Sequence, residues 1–95
     1  MEEVSMMNYS MTNTVRDVIA GAHYNYQHKG ERADYISNRM KETFPNINWG
    51  VIIYKSDEGY STFKNSSTNY YYGCKRDGNK IIIIGFSKES KWQIR

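Results

Sequence analysis

The stretch from Trp49 to Phe86 decides the fold, through two near-continuous apolar runs, Val51-Ile52-Ile53-Tyr54 and Ile81-Ile82-Ile83-Ile84. Runs of β-branched and aromatic residues bounded by Gly, Asn, Asp and Ser read as strands. A strand with one wet face alternates apolar and polar residues, because successive side chains point to opposite faces. Ile81 to Ile84 puts isoleucines on both faces. Burying one such side chain is worth roughly 1.5–3 kcal/mol, so both faces of this strand call for cover.

Between these runs lie the alternating segment Gly59-Tyr60-Ser61-Thr62-Phe63 and the triplet Tyr70-Tyr71-Tyr72. Asp77-Gly78 supplies the positive φ angles of a two-residue hairpin turn. It joins a strand ending near Arg76 to one starting near Lys80.

Upstream the period is helical. Val15, Val18, Ile19, Ala22 and Tyr26 form one apolar stripe, which predicts a helix from about Met11 to Gln27 capped by Thr12 or Asn13. Gly30 marks the break before a second helix, from about Glu31 to Thr43, with the stripe Ala33, Ile36, Met40 and Phe44. Pro45 ends it, because the residue before proline is pushed out of the helical region. Met40 reads as core filler. The polar, Met-rich residues 1–10 are a flexible arm or a short edge strand around Val4–Asn8; a domain spans 11–88, and 89–95 is a polar tail.

The order helix, helix, strands gives an α+β domain with two antiparallel helices on an antiparallel sheet. The helices can cover one sheet face, and nothing obvious remains for the other. The economical solution is a second copy packed sheet to sheet about a two-fold axis. The alternative splits the helices, one to each face.

At 95 residues the chain is one domain with a single core. Its net charge of +3 is a mild bias, compatible with an acidic or nucleic-acid partner without demanding one. The single cysteine, Cys74, excludes an internal disulfide and favours a reducing compartment. No apolar run approaches a membrane span and Met1-Glu2-Glu3-Val4 lacks the features of a signal peptide, so a soluble, cytosolic protein is expected.

Catalytic constellations are missing from the sequence. His23 and His28 are five apart, not at the i, i+4 spacing that aims two ligands at one ion. His28 is expected near a helix C-terminus, close to free carbonyls or solvent. Cys74 reads as a small buried hydrophobe and Asp57-Glu58 as solvated charge. No cofactor is implied. Binding fits better: the tyrosines are of the amphipathic kind enriched at interfaces, and the polar, strand-like Asp57–Asn65 suits an edge that pairs with another chain.

Ala33-Asp34-Tyr35-Ile36, Met40…Phe44, Asn48-Trp49 leading into Val51-Ile52-Ile53, Lys55, Gly59-Tyr60-Ser61-Thr62, Tyr70-Tyr71-Tyr72 and Ile81–Ile84 closing on Phe86 together resemble the small dynein light chain family. The frame runs from about Met11 to Lys88. The resemblance implies a strand-swapped homodimer of two helix pairs flanking two stacked sheets. The strand matching Asp57–Thr62 would join the partner's sheet, and an extended client peptide would add beside it in a groove walled by the other subunit's second helix. Gly59, Tyr60, Ser61, Thr62, Phe63, Tyr70 and Tyr72 would line that groove, and the amides around Lys29, Gly30 and Glu31 would receive a client glutamine. Trp49, Gly50, Asp57, Glu58, Tyr60 and Thr62 would form the dimer interface. Clients would include a dynein intermediate chain, in the cytoplasm on the microtubule cytoskeleton or in an axoneme.

The chain departs from the pattern at several places. Lys29-Gly30 stands where an acidic-basic pair is usual, Asp57 and Thr68 replace aromatics, and Phe63 replaces a histidine. Gly50 replaces the interface histidine, so the family's pH-sensitive dimer switch should be missing. The 74–79 hairpin is longer and the tail beyond Lys88 is extra. These changes bear on the client motif more than on the fold. The competing classes are a nucleic-acid-binding domain using Lys75, Arg76, Lys80 and exposed tyrosines, and a purely structural subunit of a motor complex.

Overall fold

The computed structural model describes residues 3–55 and 70–87. The elements run β1 (Glu3–Ser5), α1 (Tyr9–Asn25), α2 (Lys29–Thr43), β2 (Ile47–Lys55), β3 (Tyr70–Arg76) and β4 (Asn79–Ser87). The strands form one antiparallel sheet in the order β1-β3-β4-β2, with the isoleucine strand β4 inside it. Two helices on an antiparallel sheet make the α+β fold that the element order implies.

Pairing register assigns the faces. Trp49, Val51 and Ile53 of β2 lie opposite Gly85, Ile83 and Ile81 of β4, and Tyr70, Tyr72 and Cys74 of β3 share that side. These residues form one core with Met11, Val15, Val18, Ile19 and Ala22 of α1 and with Ile36 and Met40 of α2. Both helices therefore lie on the same face. The split arrangement, one helix to each side, is not adopted.

Local chemistry moves several boundaries from their expected places. α1 starts at Tyr9 because Asn8 caps it, its side-chain carbonyl accepting from the Met11 amide at 2.7 Å. Thr12, expected as a cap, is instead buried one turn inside. α1 ends at Asn25, which puts Tyr26 outside the helix: its ring leaves the apolar stripe and tilts against Tyr35, with centroids 5.6 Å apart. His28 is the residue preceding α2, not the last turn of α1, and its side chain makes no capping bond. Gly30 sits within the first turn of α2 and not at the break, with open space where a Cβ would stand. The N-terminal segment resolves as an edge strand, shorter than Val4–Asn8 and starting at Glu3.

The hairpin is as expected: Asp77 and Gly78 take φ of 52° and 80° between β3 and β4. Cys74 is buried beneath the helices, and Met40 is fully buried. Gly85 has a different role. A Cβ there would lie 2.7 Å from the Trp49 ring and 2.8 Å from Ile47. The glycine thus leaves a trough for the indole, which is backed by Phe44 and Tyr70 at centroid distances of 6.0 and 6.1 Å. Its Nε1–H donates to the Phe44 carbonyl at 3.2 Å, tying the sheet to the end of α2.

Gly85→Ala should therefore lose about 1–3 kcal/mol of stability in urea unfolding followed by Trp fluorescence, since the ring has nowhere to retreat. Gly50→Ala, whose new methyl would meet only the flexible Ile84 side chain at 3.4 Å, should stay within about 0.5 kcal/mol.

Candidate functional site

The face turned away from the helices carries Val4 of β1, Tyr71 and Gly73 of β3, Ile82, Ile84 and Phe86 of β4, and Gly50, Ile52 and Tyr54 of β2. None of these belongs to the core under the helices. Ile52 is 42% exposed and Val4 60%, Ile84 and Phe86 are half-buried, and Ile82 at the centre of the face is buried. Tyr71 is buried on this side, its hydroxyl lying 3.0 Å from where a Gly73 Cβ would stand. The ring thus covers the glycine's bare backbone, and burial raises the Tyr71 pKa above its ordinary value.

β2 forms one border of the sheet. Among the described residues it pairs only with β4, and α2 packs alongside it. A hollow of about 410 Å³ opens where α2 gives way to β2, lined by Lys41, Pro45, Ile47, Asn48 and Trp49. At the other end of α2, the exposed residues Lys29, Gly30 and Glu31 form a first turn that no side chain caps. First-turn amides without a cap are free to meet an outside acceptor.

Several expected site residues fall elsewhere. Tyr72, expected in a peptide groove, is 1% exposed on the helix-covered face. Tyr70 shares that face and stacks on Trp49. Trp49, expected at a dimer interface, also points into the monomer's own core, because the alternation that turns Gly50 outward turns its neighbour in. Gly50 alone of that pair stands on the open face. Gly59, Tyr60, Ser61, Thr62 and Phe63, with Asp57 and Glu58, lie outside the described residues.

Sequence reasoning missed the most polar constellation, at the opposite border. Arg16 of α1 grips the Glu3 carboxylate with two donors, Nε to Oε2 at 2.8 Å and Nη2 to Oε1 at 2.7 Å. The Tyr72 hydroxyl donates to the same Oε2. Arg16 Nη1 donates to Asn13 at 3.0 Å, fixing the guanidinium's orientation. The Arg16 and Tyr72 hydrogen bonds hold the Glu3 pKa down, from 4.5 to about 2. Burial first, and then the bond to Glu3, push the Tyr72 pKa up. Beside it, the Met7 amide donates to Ser5 Oγ at 3.1 Å, and Ser5 lies 2.7 Å from Thr12 Oγ1, which donates to the Met7 carbonyl at 3.4 Å. With the Thr12 proton spent on that carbonyl, Ser5 is the donor between the hydroxyls, and the bonds close a ring that fixes the link from β1 to α1.

His23 is the other notable titrating group. Its Nδ1 lies 3.2 Å from the Ile19 carbonyl, so in the neutral ring the proton sits on Nδ1. Nε2 then faces the Asp77 carboxylate at 4.0 Å without a hydrogen bond. Burial lowers its pKa below the ordinary 6.5, helped by Arg32 and Arg76 and opposed by the Ile19 carbonyl and Asp77. Among the described residues no group of three potential metal ligands gathers, and no helix is long and apolar enough to cross a membrane.

No family model and no curated protein matches the chain.

Both titrations act in the same direction. The lowered His23 pKa means the unfolded chain takes up that proton first, so stability falls as pH drops below about 6.5. The lowered Glu3 pKa contributes stability above about 4.5 that is lost as pH falls towards about 2. Thermal melts across this range should show Tm declining through both windows, with Glu3→Gln flattening the acid one and His23→Gln the upper one.

Proposed function

We propose that the chain is a non-enzymatic dimeric adaptor, a divergent relative of the dynein light chains, that holds extended segments of partner proteins by strand addition. The observation that carries this reading is the apolar sheet face opposite the helices, with Ile52 42% exposed at its border. Tyr71 and Ile82 at its centre are buried and Ile52 and Val4 at its two borders are exposed. An apolar face of this kind suits an interaction surface. A second copy, stacked sheet on sheet, removes it from water and repeats the arrangement symmetrically.

The client site follows from the border. The partner's 57–62 strand would join the β2 edge and the client would add beside that strand, in a groove walled by α2, with the hollow at Lys41–Trp49 at one end and the uncapped first turn of α2 at the other. Main-chain hydrogen bonds along such an edge supply affinity, and pockets beside it supply selectivity. Joining two clients in one dimer raises avidity, because the second binds intramolecularly. A dynein intermediate chain and other disordered segments are the clients this reading names, in the cytoplasm on microtubules or in an axoneme. The nucleic-acid alternative has Lys75 directly opposite Lys80 in its favour, but Tyr71 and Tyr72 are buried and cannot stack on bases.

Sedimentation of the purified chain should give a dimer, and Ile52→Lys should shift it to a folded monomer. Titration calorimetry with glutamine-containing linear peptides should show binding that Tyr60→Glu or Thr62→Ala weakens about tenfold or more while the dimer persists. A folded, monomeric unsubstituted chain would remove the dimer, and a dimer that binds none of these peptides would remove the adaptor role.

A further inference from the structure

We infer that β1 is an internal occupant of a second strand-accepting edge, and that the β3 edge beneath it takes extended peptides whose acidic side chain is read by Arg16 and the Tyr72 hydroxyl. This site lies at the sheet border opposite β2 and does not rest on the adaptor reading.

β1 is a weakly buried strand. It has three residues, and Val4, its one apolar side chain, is 60% exposed. What seats it is main-chain pairing, the Glu3 carboxylate and the Ser5 hydroxyl, 2.7 Å from Thr12 Oγ1. The Met6 amide donates to the Tyr71 carbonyl at 2.8 Å, and Val4 pairs with Gly73. By the alternation of antiparallel ladders, Tyr71 and Gly73 turn their backbone groups towards this border. Short strands with little apolar burial are drawn from the low-stability end of a fold.

The receptor for the carboxylate belongs to the rest of the molecule. Arg16 stands on α1, oriented by Asn13, and the Tyr72 hydroxyl stands on β3. Neither is part of β1. The vacated edge then offers a fork of two guanidinium donors and a hydroxyl donor, beside unpaired strand amides. Such a fork suits a carboxylate, the group it holds in Glu3. Tyr72 is almost wholly buried with β1 in place, and once β1 lifts its hydroxyl is left to donate to water or to an incoming acceptor. Glu3 has chain on both sides of it, so the occupant that replaces it is an internal Asp or Glu of an extended segment. The tethered β1 competes at high effective concentration, which keeps the site closed to weak ligands and opens it to stronger ones or to a loosened β1.

The test uses a fluorescent peptide reproducing residues 2–7, Glu-Glu-Val-Ser-Met-Met, and a second with Gln at the position of Glu3. Against full-length chain carrying Glu3→Lys, which Arg16 repels, the acidic peptide should bind at least about tenfold tighter than to the unsubstituted chain, and at least about tenfold tighter than the Gln peptide. The Gly73 amide should shift in the NMR spectrum while β2 amides stay. Equal binding of the two peptides, no binding to Glu3→Lys, or shifts confined to β2 would overturn the inference. If Glu3→Lys fails to fold, hydrogen exchange on the unsubstituted chain decides. The Gly73 amide should exchange faster than that of Ile83 and slow on adding the acidic peptide; equal rates, or no slowing, would refute it.

Discussion

Four consecutive isoleucines in an interior strand impose the constraint on which the rest depends. Such a strand has no wet face, so each side of the sheet needs a lid. The sequence supplies two helices, and they share one side: Ile81 and Ile83 are buried against α1 and α2. A second layer of the same thickness is not provided by the elements described, and Ile52 at the border of that face remains substantially exposed. Among the described residues the fold is therefore two-layered, with an apolar sheet face turned away from both helices.

Within the covered layer, specificity comes from a few contacts of large side chains. Trp49 is accommodated by the missing side chain of Gly85 and ties the end of α2 to the sheet through the Phe44 carbonyl. At the opposite border the work is electrostatic. Glu3, Arg16 and Tyr72 join β1, α1 and β3 in one contact, spanning 69 positions of sequence between its outer members. One border is thus held by shape and the other by charge.

The parts legible in sequence were those governed by short-range patterns. The Asp77-Gly78 turn, the stripe of Ile36 and Met40, the end of α2 before Pro45 and the burial of Cys74 all follow from neighbours a few residues away. Where the reading slipped, a local signal competed with another. Asn8 outranked Thr12 as a cap because Thr12 was claimed by Ser5, and Gly30 looked like a breaker although its backbone is plain helix. The tyrosine triplet shows the limit most plainly. Period two sends Tyr70 and Tyr72 inward and Tyr71 to the other face, but which side is the core depends on pairing with β4. The contact of Glu3 with Arg16 leaves no signature at all, since one carboxylate among many marks nothing until the chain has folded.

The pairing of β1 with β3 has a bearing on how the protein is made. During synthesis Glu3 leaves the ribosome well before the strand and the hydroxyl that receive it, which come some 70 residues later. The helices need no distant partner to begin winding, whereas β1 must wait, its carboxylate solvated, until β3 is out. β1, made before the other elements described, is therefore among the last of them to be seated, and any truncation of nascent chains before β3 leaves it with no berth.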